Sequence, residues 1–485
     1  MHIHLVIVQP DRYVHSLGFL DTADYLQYWL ESRGIQVTLA KNRLRHDAVN
    51  IVFGAHLGMQ PEWLEPRYCA FFFNLEQIGQ GGASISPAYQ ALLRSGPVID
   101  YHPLNVASYR SSATSVPLVP FLNAPYLNPT EAVIDWKERP IDLLFFGSVN
   151  AERRAFLKRV EQAGWDVAVF DSPTYYAERD AYVRQAKAVI NTSFYASARF
   201  EQVRAFNVLS QGTAFISYLQ PGQQVAEEFR DHVFWVDDAS FDRFFREEFG
   251  SPHWALQAQE KYGRWLQTDP SDAMGQLLDV IALRWRQCQA SSAAAPARPR
   301  VAVQADDGSY FQDAVNLSPR SLDQADLTLD LLTRQSWPWA GTSCWGQSLV
   351  LDRAQLERMA VRESPPSATQ WSALCANAMD LLCEGGQLMV DVAVDDLDRS
   401  QAERPRPRSA GRVLEDFSDS FWRSGAFDHK LVWVSAQYLD AQRQPASPEA
   451  ASYCRLTCEK QQTTARERTL ARVQSPDFAR RRGLP

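Results

Sequence analysis

Residues 141–164 read IDLLFFGSVNAERRAFLKRVEQAG. The apolar run Ile141–Phe146 ending at Gly147 predicts a buried strand, and the spacing from Ala151 to Gln162 predicts a helix that Gly164 stops. A strand passing through a glycine turn into a helix is the unit from which parallel α/β sheets are built. Further short apolar runs at Val167–Phe170, Ala188–Ile190 and Ala214–Ser217 predict more strands of the same sheet, and Gln257–Arg286 reads as mostly helical.

The same alternation precedes this region. His4–Val8 is a short apolar run, followed by a polar loop and then by apolar residues at helical spacing between Phe19 and Ser32. These are Leu20, Ala23, Leu26, Tyr28 and Leu30, with Gly34 as the stop. Strands are expected at Gln36–Leu39, Val49–Phe53, Ala70–Phe73 and Pro97–Asp100. Two successive α/β units joined by the loop Pro120–Pro129 predict two Rossmann-like domains facing one another, over 1–125 and 126–287. Ligands of such sheets sit beyond the C-terminal strand ends. The Ala/Pro/Ser-rich stretch 288–300 reads as a linker. A third α/β region is expected over 301–459, and a polar tail over 460–485 that carries Arg480, Arg481 and Arg482.

Several chemistry-bearing residues punctuate the second unit in a specific order: Gly147-Ser148, Asn150, Arg153-Arg154, Glu178-Arg179-Asp180, Asn191, Tyr195, then Phe200-Glu201-Gln202-Val203-Arg204. The first unit adds Phe73-Asn74-Leu75-Glu76-Gln77. Over roughly residues 1–285 this order resembles a group of bacterial GT-B glycosyltransferases. The resemblance implies an α/β fold with two Rossmann-like domains in the GT-B arrangement, and transfer of a sugar from a nucleotide-sugar donor. The donor is then expected to meet Gly18, Gly147, Ser148, Asn150, Arg153, Asn191, Tyr195, Glu201, Arg204 and Asn207. Physical chemistry points the same way. A glycine turn at a helix N-terminus lets backbone N–H groups approach a diphosphate, Arg204 is suited to paired bonds with phosphate oxygens, and Glu201 to accepting from ribose hydroxyls. A surface ion pair between Glu201 and Arg204 is the alternative for those two residues alone. The sequence departs from the group at Asn207 and Ser210, where many such enzymes carry a Glu before the next glycine, and at Ser193 and Tyr218.

Transfer to a hydroxyl calls for a base or for charge stabilisation at the leaving phosphate. Candidates on strand-end loops of the first unit are His15, His56, Glu76 and Asp100, with His15, Glu76 and Asp100 preferred. A histidine near its ordinary pKa suits general-base work. No Asp-x-Asp motif falls on a plausible strand end in the first 290 residues. Metal-dependent chemistry is therefore not expected, and neither is any cofactor apart from the nucleotide-sugar, which is substrate.

Within 301–400, Val315-Asn-Leu-Ser-Pro319, Ala325–Leu331, Ser336-Trp-Pro-Trp339 and Leu381–Leu388 resemble class I methyltransferases. Such enzymes need a glycine-rich turn after the first strand and an acidic residue after the second. Here the turn reads Val303-Gln-Ala-Asp-Asp-Gly308 and the acidic position is matched by Asn316. A degenerate domain is expected, used for packing or partner binding. Arg404, Arg406, Arg408 and Arg412 sit in a loop that either is solvated or touches an anionic acceptor.

A net charge of −8 supplies no global basic field, so duplex nucleic acid is not favoured as a partner. Nucleic acid enters only as a possible modified acceptor, beside glycan and protein. The start MHIHLVIVQP lacks the basic flank of a signal peptide, and no run reaches the ~18 apolar residues of a spanning helix. Seven scattered cysteines, an odd number, suit reduced thiols and a cytoplasmic location. Two further function classes remain open: a bifunctional glycosyltransferase and methyltransferase, and a non-catalytic nucleotide- or carbohydrate-binding protein. Donor, acceptor, stereochemistry and oligomeric state are left open.

Overall fold

The computed structural model of the chain describes all residues except 11, 111–115, 131–135, 171, 198, 224, 292–295, 306–308, 312, 321–324, 399–404, 420–427 and 469–485. It divides into two units, Met1–Ala293 and Ala294–Pro485.

The first unit contains two parallel sheets. One comprises β1 (His2–Ile7), β2 (Gln36–Lys41), β3 (Val49–Phe53), β4 (Cys69–Asn74) and β5 (Val98–Asp100), in the order β2-β1-β3-β4-β5. The other comprises β6 (Ile141–Phe145), β7 (Val167–Val169), β8 (Ala186–Asn191), β9 (Ala214–Tyr218) and β10 (Phe234–Val236), in the order β10-β9-β8-β6-β7. Counted from its own first strand, each sheet has the same order, so the second repeats the topology of the first. The order reverses between β1 and β3 and between β6 and β8, and the crevice beyond those strand ends is where open α/β sheets take ligands. The expected strands are present. β10 is additional, because three residues are too short to show a period.

Connecting helices are α1 (Leu20–Glu31), α2 (Pro87–Ser95), α3 (Pro103–Tyr109), α4 (Ala151–Gln162), α5 (Tyr176–Gln185), α6 (Gln202–Ser210), α7 (Phe241–Arg243), α8 (Pro252–Trp265) and α9 (Ser271–Ser291). The two sheets share a core. Phe121 stacks on Phe206 of α6 at 5.4 Å, and Tyr25 of α1 lies 4.9 Å from Phe206. The connecting loop is pinned at both sides: the Tyr25 hydroxyl donates to the Pro120 carbonyl at 3.1 Å, and the Ser210 hydroxyl oxygen accepts from the Ala124 N–H at 2.9 Å and from Trp265 Nε1 at 3.1 Å. α9 returns to the first sheet, where Arg284 Nε donates to the Ala70 carbonyl at 3.2 Å.

The second unit is built on β11 (Val301–Gln304), β12 (Val315–Ser318), β13 (Leu327–Thr328), β14 (Trp339–Thr342), β15 (Ser348–Leu351), β16 (Leu356–Val361), β17 (Leu382–Ala393), β18 (Leu397–Asp398), β19 (Arg406–Pro407), β20 (His429–Leu439) and β21 (Tyr453–Gln462), with α10 (Ala368–Leu381) and α11 (Val413–Asp419). Seven strands form one sheet in the order β13-β12-β11-β16-β17-β21-β20, in which β21 alone runs against the rest. The α/β class expected for all three regions holds.

The expected linker begins inside a helix. α9 continues to Ser291 and Cys288 is buried in the first unit's core. Each unit buries its own apolar core. Residues 1–293 expressed alone are therefore expected to remain monodisperse and to melt in one cooperative transition; an aggregated fragment would show that the second unit completes the core. Among the described residues no helix is long and apolar enough to cross a membrane.

Candidate functional site

The strand-to-helix turn after β6 is built for close approach. Gly147 has φ +118°, a conformation that favours glycine, and a Cβ placed on it would lie 2.6 Å from the Arg204 guanidinium. Asn150 caps α4 by accepting from the Arg153 N–H at 2.8 Å, a cap worth about 1 kcal/mol. Its amide donates to the Phe194 carbonyl at 3.0 Å, so the cap also ties the loop after β8 to the helix start. Arg153 points back from α4 and donates to the carbonyls of Thr192 at 3.0 Å and Ser148 at 2.8 Å.

Three arginines converge on this turn. Arg204 donates to Asn191 Oδ1 at 2.5 Å and pairs with Glu201 at 2.6 Å, while Arg153 pairs with the other Glu201 oxygen. Burial, with Arg153 and Arg179 nearby, outweighs the Glu201 carboxylate and lowers Arg204 to about 10, so it stays charged at neutral pH. Arg179 bonds Asp21 of α1 through both nitrogens at 2.5 and 2.9 Å, and Asp180 at 2.7 Å. Burial alone would lower Arg179, but Asp21 and Asp180 more than offset it and raise its pKa. Glu201 is thus one carboxylate shared by two guanidinium groups. Arg179 is matched by Asp21 and Asp180, and Glu76 faces the group, so the three guanidinium groups meet at least as many carboxylates.

The opposite wall comes from the first sheet. Glu76 follows β4 and its Oε1 lies 3.3 Å from His56 Nε2 on the loop after β3. Burial lowers the His56 pKa against the pull of Glu76, so the ring is mainly neutral at pH 7. Beneath them Asp100 is fully buried and accepts five hydrogen bonds: from the side chains of Asn74 (2.8 Å), Tyr109 (2.9 Å) and Asn105 (3.2 Å) and from the N–H groups of Tyr101 (2.7 Å) and His102 (2.9 Å). Burial raises Asp100 to about 6 despite these donors. Asn74 and Asn105 in turn donate to the Glu76 carbonyl at 3.1 and 3.0 Å. Gln77 reaches across to the second half, donating to the Arg199 carbonyl at 3.1 Å and accepting from the Ser197 hydroxyl at 3.1 Å.

Between the walls lies a cavity of about 390 Å³. Arg153, Arg204, Glu201 and Ser148 line one side, and Glu76 and Gln77 the other. Its size falls within the range of small-molecule sites.

No protein-family model matches the chain, and no curated protein is similar to it in sequence. Among solved structures, it is similar to TarM at 8% identity and a TM-score of 0.37, over 53% of this chain and 57% of TarM, so it spans little more than half the length of that protein. AviGT4, a glycosyltransferase involved in avilamycin A biosynthesis, aligns at 14% identity and 0.36, over 60% of this chain and 99% of AviGT4. Sucrose-phosphate synthase from Thermosynechococcus elongatus aligns at 14% and 0.39, over 60% of this chain and 100% of its own. Likenesses this remote assign no activity.

Of the residues expected from sequence, Glu76, Ser148, Arg153, Tyr195, Glu201 and Arg204 line the cavity together. Gly147, Asn150 and Asn191 stand directly behind it, holding Arg204 and the α4 start. Four more do not line it either. Asp100 is saturated by hydrogen bonds beneath Glu76, a place suited to positioning Glu76 and not to meeting a ligand. Asn207 is buried, 3.5 Å from Asp21 and 3.0 Å from Gln211. His15 is exposed, with Nδ1 2.6 Å from the Tyr175 hydroxyl. Gly18 faces the same tyrosine with ordinary clearance of 3.6 Å, so its lack of a side chain is not demanded there. Asp21 lines the cavity but was missed: it sits within an ordinary amphipathic helix, and its partner Arg179 is 158 residues away in sequence. The Glu-Arg-Asp step at Glu178–Asp180 was the available signal for that pair.

In the second unit, Asn316 is spent on its own fold. Its amide donates to Asp326 Oδ2 at 3.0 Å and to the Phe311 carbonyl at 2.9 Å, so it does not offer itself to a ribose. Arg406 and Arg412 both pair with Glu415, while Arg404, Asp306, Asp307 and Arg480–Arg482 lie outside the described residues.

Proposed function

We propose that the first unit is a glycosyltransferase that moves a sugar from a nucleotide-sugar to an acceptor hydroxyl. The observation that carries this reading is the meeting of Arg153, Arg204 and the Gly147–Ser148 turn at the β6/β8 reversal, opposite a carboxylate. The donor diphosphate takes the place of Glu201 on the two guanidinium groups, joined by backbone N–H groups at the α4 start. Glu201, released, accepts from the ribose hydroxyls. The acceptor oxygen bonds the anomeric carbon while its proton passes to Glu76. The bond from that carbon to the diphosphate oxygen breaks, and the nucleoside diphosphate leaves with its added charge held by arginine. These side chains supply the positive charge, so the reaction proceeds without a metal ion. Neutral His56 orients Glu76, and the Asp100 network fixes the backbone beneath it.

A thermal-shift series of nucleotide-sugars and nucleoside diphosphates tests this. Saturation at 100 times Kd stabilises by ~2.7 kcal/mol. Absence of any shift with every nucleotide-sugar at millimolar concentration would sink the reading.

In the second unit the end of the first strand of the sheet is filled by the protein itself. Gln304, at the end of β11, donates to Asp330 Oδ1 at 3.0 Å and Glu363 Oε1 at 2.6 Å and accepts from the Leu331 N–H at 2.6 Å. A ligand there has to break this network. Calorimetry with S-adenosylmethionine is expected to show no binding tighter than millimolar, and micromolar binding would favour the bifunctional reading.

A further inference from the structure

The cavity between the two sheets of the first unit holds a polar group that the protein leaves unused. The charged side chains around it are engaged: Asp21 with Arg179, Glu76 with His56, and Arg153 and Arg204 with Glu201. Gln77 is engaged as well, through Arg199 and Ser197. Gln202 also lines the cavity, and it is only 4% exposed. Its Oε1 is shut off from solvent and has no hydrogen-bond partner among the described residues. Burying an amide oxygen without a partner costs free energy. A methionine or leucine would fill the same space without that cost.

The place of Gln202 in the fold indicates what the amide is set to meet. It opens α6, directly after Glu201 and in the same helical turn as Arg204. Its N–H donates to the Phe200 carbonyl at 3.0 Å, a tight turn at the helix start. The segment before that turn is fastened to the opposite wall. Gln77 donates to the Arg199 carbonyl at 3.1 Å and accepts from the Arg199 N–H at 3.3 Å, while Arg199 donates to Asn105 Oδ1 at 2.7 Å. Asn105 in turn holds the Glu76 carbonyl at 3.0 Å. Gln202 therefore sits where the chain leading to Arg204 is tied to the loop that carries Glu76.

We propose that the Gln202 amide recognises a hydroxyl of the sugar carried by the donor, and so selects that sugar. This rests on the reading of the cavity as a donor site. The diphosphate goes to the arginines and the ribose to Glu201. The sugar then lies between the diphosphate and Glu76, because the bond that breaks is at its anomeric carbon. The unpartnered oxygen needs a donor, which the phosphates lack. A hydroxyl both donates and accepts, and a primary amide presents one group of each kind, so the two match in either orientation of the amide. A sugar with hydrogen in place of that hydroxyl is disfavoured, because the amide stays buried and unpaired.

Gln202→Met in the full chain tests this, by titration calorimetry with UDP-glucose, dTDP-glucose, ADP-glucose and GDP-mannose, each beside its own nucleoside diphosphate. The thioether matches the amide in length and accepts hydrogen bonds only weakly. The expected result is a loss of roughly tenfold or more in affinity for the nucleotide-sugar that the unmodified protein binds best. Affinity for the matching nucleoside diphosphate should stay within about twofold, and the melting temperature should be unchanged or higher. A loss shared equally by the nucleoside diphosphate would assign Gln202 to the nucleoside and overturn the proposal. Unchanged nucleotide-sugar affinity would overturn it too, as would a variant that melts lower or fails to fold, since the amide would then be held within the protein. Binding of none of these compounds by the unmodified protein is a separate result, which overturns the donor-site reading and this inference with it.

Discussion

Glu76→Gln is expected to lower kcat for sugar transfer by roughly 100-fold or more, the usual contribution of a positioned general base. Donor affinity should stay within about twofold, since the nearest phosphate-binding groups lie on the other wall of the cavity. The amide is nearly isosteric and keeps the 3.3 Å approach to His56 Nε2, so folding should be preserved. The change removes only the capacity to take a proton. Single-turnover transfer, donor calorimetry and a melting curve on the same preparation check all three points. Activity within threefold of the unmodified protein would remove Glu76 as the base.

Arg204→Ala is expected to weaken nucleotide-sugar binding by tenfold to a hundredfold, corresponding to ~1.5–3 kcal/mol for a lost charge-assisted hydrogen bond. Its effect differs from that of a surface charge for three reasons. The guanidinium is lowered to about 10 by burial, so its charge is held at a cost in solvation that a diphosphate would relieve. Asn191 Oδ1, 2.5 Å away, loses its donor in the variant. Glu201 keeps only Arg153, so its carboxylate repels the incoming phosphate more strongly. Arg204→Lys should recover part of the affinity, because it restores the charge without the paired geometry. Isothermal titration with nucleoside diphosphate measures all of this, and unchanged affinity in a folded Arg204→Ala protein would take Arg204 out of the site.

The second-sheet half of the cleft was legible because it is local. Gly147, Ser148, Asn150 and Arg153 fall within one strand–turn–helix, and Glu201 and Arg204 within one helical turn, so spacing alone brings each group together. The first-sheet wall was legible in part. Glu76 was expected from its place after a strand. Its partner His56 was also a candidate, but nothing in the sequence joins the loop after β3 to the loop after β4. Asp100 illustrates the limit. Its position at a strand end is the same whether it faces a ligand or turns inward to Asn74, Asn105 and Tyr109, and only packing distinguishes the two. Cys288 marks the same limit at the domain boundary, where an Ala-rich stretch suits both a linker and a continuing helix.

By itself the sequence determined the α/β class, the restart of the pattern after the loop at Pro120, and the polar residues at the ends of the predicted strands, because two-residue and 3.6-residue periods are written into consecutive side chains. The tertiary structure alone decided which ends meet. Asp21 reaches Arg179, His56 reaches Glu76, and Gln304 closes on Asp330 and Glu363, each across a separation in sequence that no local period records. It also decided that Arg362, Arg443 and Arg455 gather around Asp391, because burial and charge pairing are properties of where strands lie side by side.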